Sequence, residues 1–186
     1  MPPKVRTSRD EIIAGALSLV RKEGADSLNA RNIAGVLGCS TQPVFSNFST
    51  MEELKNAVLD KVGAIYDGYL KREINNGEYP AYKASGMAYI RFADEEKELF
   101  KLLFMRDRSG EPYDTEKENW RVACRTVQEY LGVTAECAER FHMEMWAFVH
   151  GIAVMLATNY LKLDWERISD MMSDVFLGLK NRYQEG

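Results

Sequence analysis

The residues best placed to do chemistry sit in one short stretch, Gly38-Cys39-Ser40-Thr41-Gln42-Pro43-Val44-Phe45-Ser46-Asn47-Phe48. Val44 and Phe48 are four apart, so on a helix both face inward. That leaves Thr41, Gln42, Ser46 and Asn47 facing out. These are short, neutral hydrogen-bonding groups, the set that reads base edges in a DNA major groove. No Ser-His-Asp or Cys-His arrangement and no Gly-rich phosphate loop accompanies them. The two histidines, His142 and His150, would lie about 80° apart around a helix axis, with no matched carboxylates. Each is expected to be a hydrogen-bonded histidine rather than a metal ligand. Cys39, Cys124 and Cys137 are widely spaced and odd in number. They read as reduced, small apolar residues, not a disulfide framework or zinc site. No enzyme, cofactor or metal site is expected.

The elements that must position this stretch are all helical, and strand-like alternation is not evident. Residues 9–22 carry Ile12, Ile13, Ala16, Leu17 and Val20 as one stripe, with Ser8 and Glu11 as a capping box and Gly24 as the stop. Asn29 should cap a helix over 30–37, with Ile33, Ala34 and Leu37 inward. Ala34 is small enough for a close crossing, and Gly38 allows the tight turn. Ser40 should cap the next helix, 41–48, with Pro43 in its first turn. Val44 would lock it onto Ile12, Leu17 and Ile33. A long helix over 51–75 follows, with Ser49–Glu52 and Thr50–Glu53 as two capping boxes. Residues 81–105 should hold two helices with a bend near Ala93-Asp94, and 109–112 a loop. Thr115 should open a helix ending at Gly132, Thr134 one over 135–161, and Asp164 one over 165–183.

The 186 residues carry a net charge of −4, but unevenly. Residues 1–50 hold six basic against four acidic residues (+2), and the remainder 18 against 24 (−6). A mildly basic head can approach phosphates while an acidic body stays clear. No apolar run reaches the roughly 18 residues of a membrane span. The basic, polar N-terminus lacks a signal-peptide core, so a cytoplasmic location is expected.

The stretch over residues 9–60 resembles the TetR family of transcription regulators. The resemblance rests on Arg31, Ile33, Ala34, Leu37, Gly38, Ser40, Val44, Phe45, Phe48, Glu52, Glu53 and Leu54, with a weaker echo in Trp146…His150-Gly151. It implies an all-α fold of about nine helices. Residues 1–50 would be the arm and three-helix DNA-binding domain, with 51–75 as linking helix. Residues 60–186 would form a helical ligand-binding and dimerisation domain. Many members carry Tyr where this chain has Phe45 and Lys where it has Met51. Phosphate contacts would then lean on Arg6, Arg9, Arg31, Thr50 and Lys55. Together with Ser40, Thr41, Gln42, Pro43, Phe45, Ser46 and Asn47, these make up the expected DNA-binding set.

The body is rich in aromatics and methionine. Tyr66, Tyr69, Tyr89, Phe92, Phe100, Phe104, Trp120, Cys124, His142, Met145, Trp146 and His150 are the candidates to line an effector pocket. An ordinary bundle core would explain each one singly. The apolar surround of 146–161 and the stripe Trp165, Ile168, Met172, Val175, Phe176, Leu179 and Tyr183 point to a homodimer interface. The resemblance implies a repressor that binds a near-palindromic double-stranded operator as a dimer and is released by a small-molecule effector. A second reading is an interaction protein of the same fold, acting chiefly through a protein partner and binding DNA weakly.

Overall fold

The computed structural model describes residues 7–109 and 118–184. Among them are nine α-helices and no strand. They are α1 Arg9–Glu23, α2 Ala30–Leu37, α3 Gln42–Asn47, α4 Met51–Asn76, α5 Ala81–Glu95, α6 Lys97–Phe104, α7 Glu118–Leu131, α8 Ala135–Ala157 and α9 Trp165–Gln184. The chain divides into two compact units, with boundaries inside α4 and at the end of α5. The first runs to Gly68 and adds Glu95–Arg106; the second comprises Tyr69–Asp94 and the chain from Asp107.

Local capping chemistry sets most helix starts. The Ser8 side chain accepts from the Glu11 N–H, while the Glu11 carboxylate accepts from the Ser8 N–H at 2.7 Å. Asn29 accepts from Asn32, Thr134 from Cys137, and Asp164 from Arg167. Each satisfies an N–H that the first helical turn leaves unpaired. Two expectations are corrected. Ser40 does not cap α3: Thr41 occupies the N-cap position and makes no side-chain cap bond. Pro43, in the first turn, has no N–H to cap, which weakens the demand. In place of two boxes before α4 there is one interleaved cap. Thr50 Oγ1 accepts from the Glu53 N–H, and Glu53 accepts from the Ser49 N–H. The bend between α5 and α6 falls at Glu96, beyond Ala93-Asp94. Thr115 lies outside the described residues, as does most of the 109–112 loop.

In the first unit α1 packs against α2 and α6. Ile12, Ala16, Val20, Ile33, Val44, Leu54 and Phe100 are fully buried there. Arg21 grips Glu96, the residue before α6, through two bonds of 2.8 Å. In the second unit α7 and α9 both pack on α8. A cluster of Val127, Leu131, Ala138, Phe141 and Met145 takes Val175, Phe176, Leu179 and Tyr183 of α9 against it. The α9 stripe that the sequence assigned to a partner is therefore partly covered within the chain, with Ile168 and Met172 buried and the rest half-buried. It leaves Leu177 and Gly178 exposed on α9, and Ala147 and Gly151 exposed on α8. Gly86 of α5 sits where a Cβ would come within 2.5 Å of the Met172 Cε and 3.4 Å of Val149, so a larger residue would require the Met172 side chain to shift.

Candidate nucleic-acid interface and aromatic cluster

The turn before α3 is made by Gly38, whose φ of 63° and ψ of 31° are left-handed. The Cys39 N–H closes it on the Ala34 carbonyl at 3.0 Å. Val44 and Phe48 anchor α3 inward, at 0% and 2% exposure. Ser40, Thr41, Gln42, Phe45 and Ser46 are exposed, while Pro43 and Asn47 are half-buried. The outward side chains are not equally free. Ser46 donates its hydroxyl to the Gln42 carbonyl at 2.8 Å. Asn47 spends its amide N–H groups on the carbonyls of Pro43 (2.8 Å) and Thr7 (3.2 Å). Both therefore retain only acceptor capacity toward a ligand.

Arg9 braces this face. Its Nη1 donates to the Asn47 carbonyl at 2.8 Å and to Glu53 at 2.9 Å, and its guanidinium lies 4.1 Å over the Phe48 ring. The Ser49 N–H and then Arg9 hold the Glu53 carboxyl below its ordinary range. Arg9 thus ties the start of α1 to the end of α3 and the first turn of α4. Arg31, Thr50 and Lys55 are exposed, and Thr50 Oγ1 also serves the α4 cap. Arg6 lies outside the described residues. Phe45 exposes 54% of its surface, an apolar group set beside Thr41 and Gln42 at helical spacing.

The twelve pocket candidates are divided between the two units. Tyr66, Phe100 and Phe104 belong to the first unit, where Phe104 packs edge-on to Tyr66 (5.4 Å) and tilted to Phe100 (5.3 Å). In the second unit Tyr69 pairs with Phe92, and Met145 joins the apolar cluster of α7 and α8. The others gather where α5, α7 and α8 meet. The Tyr89 hydroxyl lies 2.8 Å from His150 Nδ1, and the Tyr82 hydroxyl 2.9 Å from His142 Nδ1. Trp120 sets its ring edge-to-face with His142 at 4.3 Å and with Trp146 at 6.3 Å. Trp146 in turn stacks on His150 at 5.0 Å. Tyr82 was missed in the sequence. Its signal was a spacing of seven residues from Tyr89, two helical turns, against the eight between His142 and His150.

The electrostatics of this cluster are neutral. Burial pushes the Tyr82 phenol up, helped by Cys124 beside it, and pushes His142 down to about 4. Both groups are therefore neutral, a protonated phenol beside an uncharged imidazole. Burial also lowers His150, and it raises the Cys124 thiol with help from Glu139. Trp120 is only 7% exposed, and its Nε1–H is buried without an acceptor. A buried donor left unpaired costs about 1–3 kcal/mol. Among the described residues no group of three or more His, Cys, Asp or Glu side chains could hold a metal ion. No described helix is long and apolar enough to cross a membrane.

A second feature of this unit escaped sequence reading. Glu73, near the end of α4, is 2% exposed and pairs with Arg91 of α5 at 2.8 Å. The Arg91 guanidinium lies 4.2 Å over Trp165, so α4, α5 and α9 are joined through one buried carboxylate.

Residues 82–176, just over half of the chain, match the family described as tetracyclin repressor-like, C-terminal domain. An uncharacterized HTH-type transcriptional regulator of Mycobacterium tuberculosis is 23% identical, over 97% of this chain and 85% of its own. Among solved structures, a TetR-like transcriptional regulator from Rhodococcus sp. RHA1 superposes with a TM-score of 0.67 at 14% identity, covering 100% of this chain and 99% of that one. A TetR family protein from Vibrio parahaemolyticus reaches 0.60 at 16% identity, over 90% and 96%. At these identities the two structures speak for the fold.

Proposed function

Because the chain belongs to the TetR family of transcriptional regulators, we propose that it is a repressor that binds a near-palindromic operator as a homodimer and leaves it when a small molecule binds the body. The observation that carries this reading is the outward face of α3. Thr41, Gln42 and Phe45 stand free on a short helix held from behind by Val44, Phe48 and Arg9.

The chemistry assigns roles residue by residue. Gln42 keeps both its amide donors and its carbonyl, the combination that pairs bidentately with adenine. Ser46 and Asn47 present only acceptors, which suits the amino groups of cytosine or adenine. Arg31, Lys55, Thr50, Ser40 and the arm residue Arg6 meet phosphates, fixing register without reading sequence. Arg9 acts chiefly as a brace. Two such helices about 34–36 Å apart would enter successive major grooves. The exposed small and apolar positions Ala147, Gly151, Leu177 and Gly178 on α8 and α9 suit a four-helix interface with a second copy. The effector would enter the α5–α7–α8 cluster. Glu53 anchors one end of α4 and Glu73 the other, so α4 is the element through which the two sites bias each other. Such coupling requires that effector and DNA each weaken the other's binding.

The test is binding to the DNA upstream of the protein's own gene, against random duplex, at two salt concentrations. Specific binding with a steep salt slope is expected. Equal binding to both duplexes at low salt would favour the interaction-protein reading.

A further inference from the structure

The strongest unexplained feature of the molecule is the orphaned indole donor of Trp120. Native interiors leave very few polar groups unpaired, and each exception calls for an explanation, such as a bound water or ligand. The surroundings restrict what that partner can be. Tyr82, His142 and Trp146 bring aromatic rings together around Trp120, each packed on a neighbour. His142, bonded at Nδ1 to the Tyr82 hydroxyl, lies beside Trp120 as a neutral imidazole. A cation could rest against a ring face but offers no acceptor, so it would leave the Trp120 N–H unpaired. An anion would find neutral donors only, with the Glu139 carboxylate acting on neighbouring Cys124. What remains is an uncharged, flat molecule carrying one acceptor.

We propose that the cluster of Trp120, His142 and Trp146 binds an uncharged aromatic carbonyl compound, whose oxygen accepts from Trp120 Nε1. This rests on the reading of the body as an effector-binding half, and names the chemical class of the effector. No bond is made or broken. Binding pairs a buried donor and covers the aromatic faces, so the carbonyl should matter more than ring area alone.

Three matched probes test this: acetylnaphthalene, ethylnaphthalene and naphthoate. They share a ring and differ in offering a carbonyl, no acceptor, or a charge. The readout is the indole N–H resonances of full-length protein labelled at its three tryptophans, Trp120, Trp146 and Trp165. Acetylnaphthalene should move the Trp120 N–H downfield and bind about tenfold more tightly than either companion, the worth of one neutral hydrogen bond. Trp120→Phe keeps a ring and removes the donor, and should erase that preference. The Trp146 and Trp165 resonances report whether the variant is folded; if it is not, the ranking of the three probes on the wild type decides. Equal affinities, a preference that survives Trp120→Phe, or an unmoved Trp120 resonance would each overturn the proposal. Operator binding by the probe-free protein is measured separately. Specific DNA binding without the carbonyl preference removes only this inference, and the preference without DNA binding removes only the regulator reading.

Discussion

The reading head and the aromatic cluster use polar groups in opposite ways. Around α3 each polar side chain either bonds to nearby backbone, as Ser46 and Asn47 do, or stands in solvent, as Thr41 and Gln42 do. In the α5–α7–α8 cluster the polar groups are buried or half-buried, His142 is neutral, and the Trp120 donor is left without a partner. On the proposed reading, the α3 face loses nothing by waiting in water, because water satisfies its donors until bases replace it. A buried site carries a cost until it is filled. The contrast teaches where each function is exposed to damage: the head through its small core, the cluster through protonation.

The largest expected effect breaks the head. Phe48→Ala removes a ring that is 2% exposed and the platform beneath Arg9, and should cost about 3–5 kcal/mol of stability. Urea unfolding would measure it, and loss of DNA binding should accompany the loss of fold. The second effect belongs to the cluster. The folded His142 titrates near 4 and the unfolded one near its ordinary value, so the unfolded chain takes up the proton first. Stability should be complete above pH 6.5 and fall as pH drops from there toward 4. The slope is about 1.4 kcal/mol per pH unit for this one group, or about 3 kcal/mol in all. His142→Phe should flatten the profile of midpoints between pH 7 and 4, and an unchanged profile would refute the assignment.

Smaller effects sharpen the head. Gln42→Ala should cost about 1–3 kcal/mol of discrimination at one base pair with stability unchanged. It is read by competing operator variants against wild-type DNA. Lys55→Ala should weaken every duplex evenly and reduce the salt slope by about one charge. Were Lys55→Ala to change preference and Gln42→Ala to change only the slope, the two roles would be exchanged.

The head was legible in the sequence because its determinants are local. Ser8 with Glu11, Asn29 with Asn32 and the left-handed Gly38 each act within a turn or two of chain. The brace was not legible. Arg9 reaches Asn47 and Glu53 across 38 and 44 residues, and no periodicity encodes that. The cluster was half legible. His142, Trp120 and Trp146 stood out by type, yet Tyr66, Phe100 and Phe104 stood out equally and belong to the first unit. Aromatic residues fill cores and line sites alike, and only tertiary pairing separates them. Glu73, one acid among many on a charged helix, gave no sign of the burial that ties it to Arg91.

The most direct test of the central claim, that α3 reads DNA from a two-fold pair, is selection of bound duplexes from a random-sequence pool by the full-length protein. The account predicts enrichment of an inverted repeat with half-site centres about one helical turn apart or somewhat more, with at least one position per half-site relaxed by Gln42→Ala. Enrichment of no sequence, or of a single unrepeated site indifferent to Gln42, would contradict it.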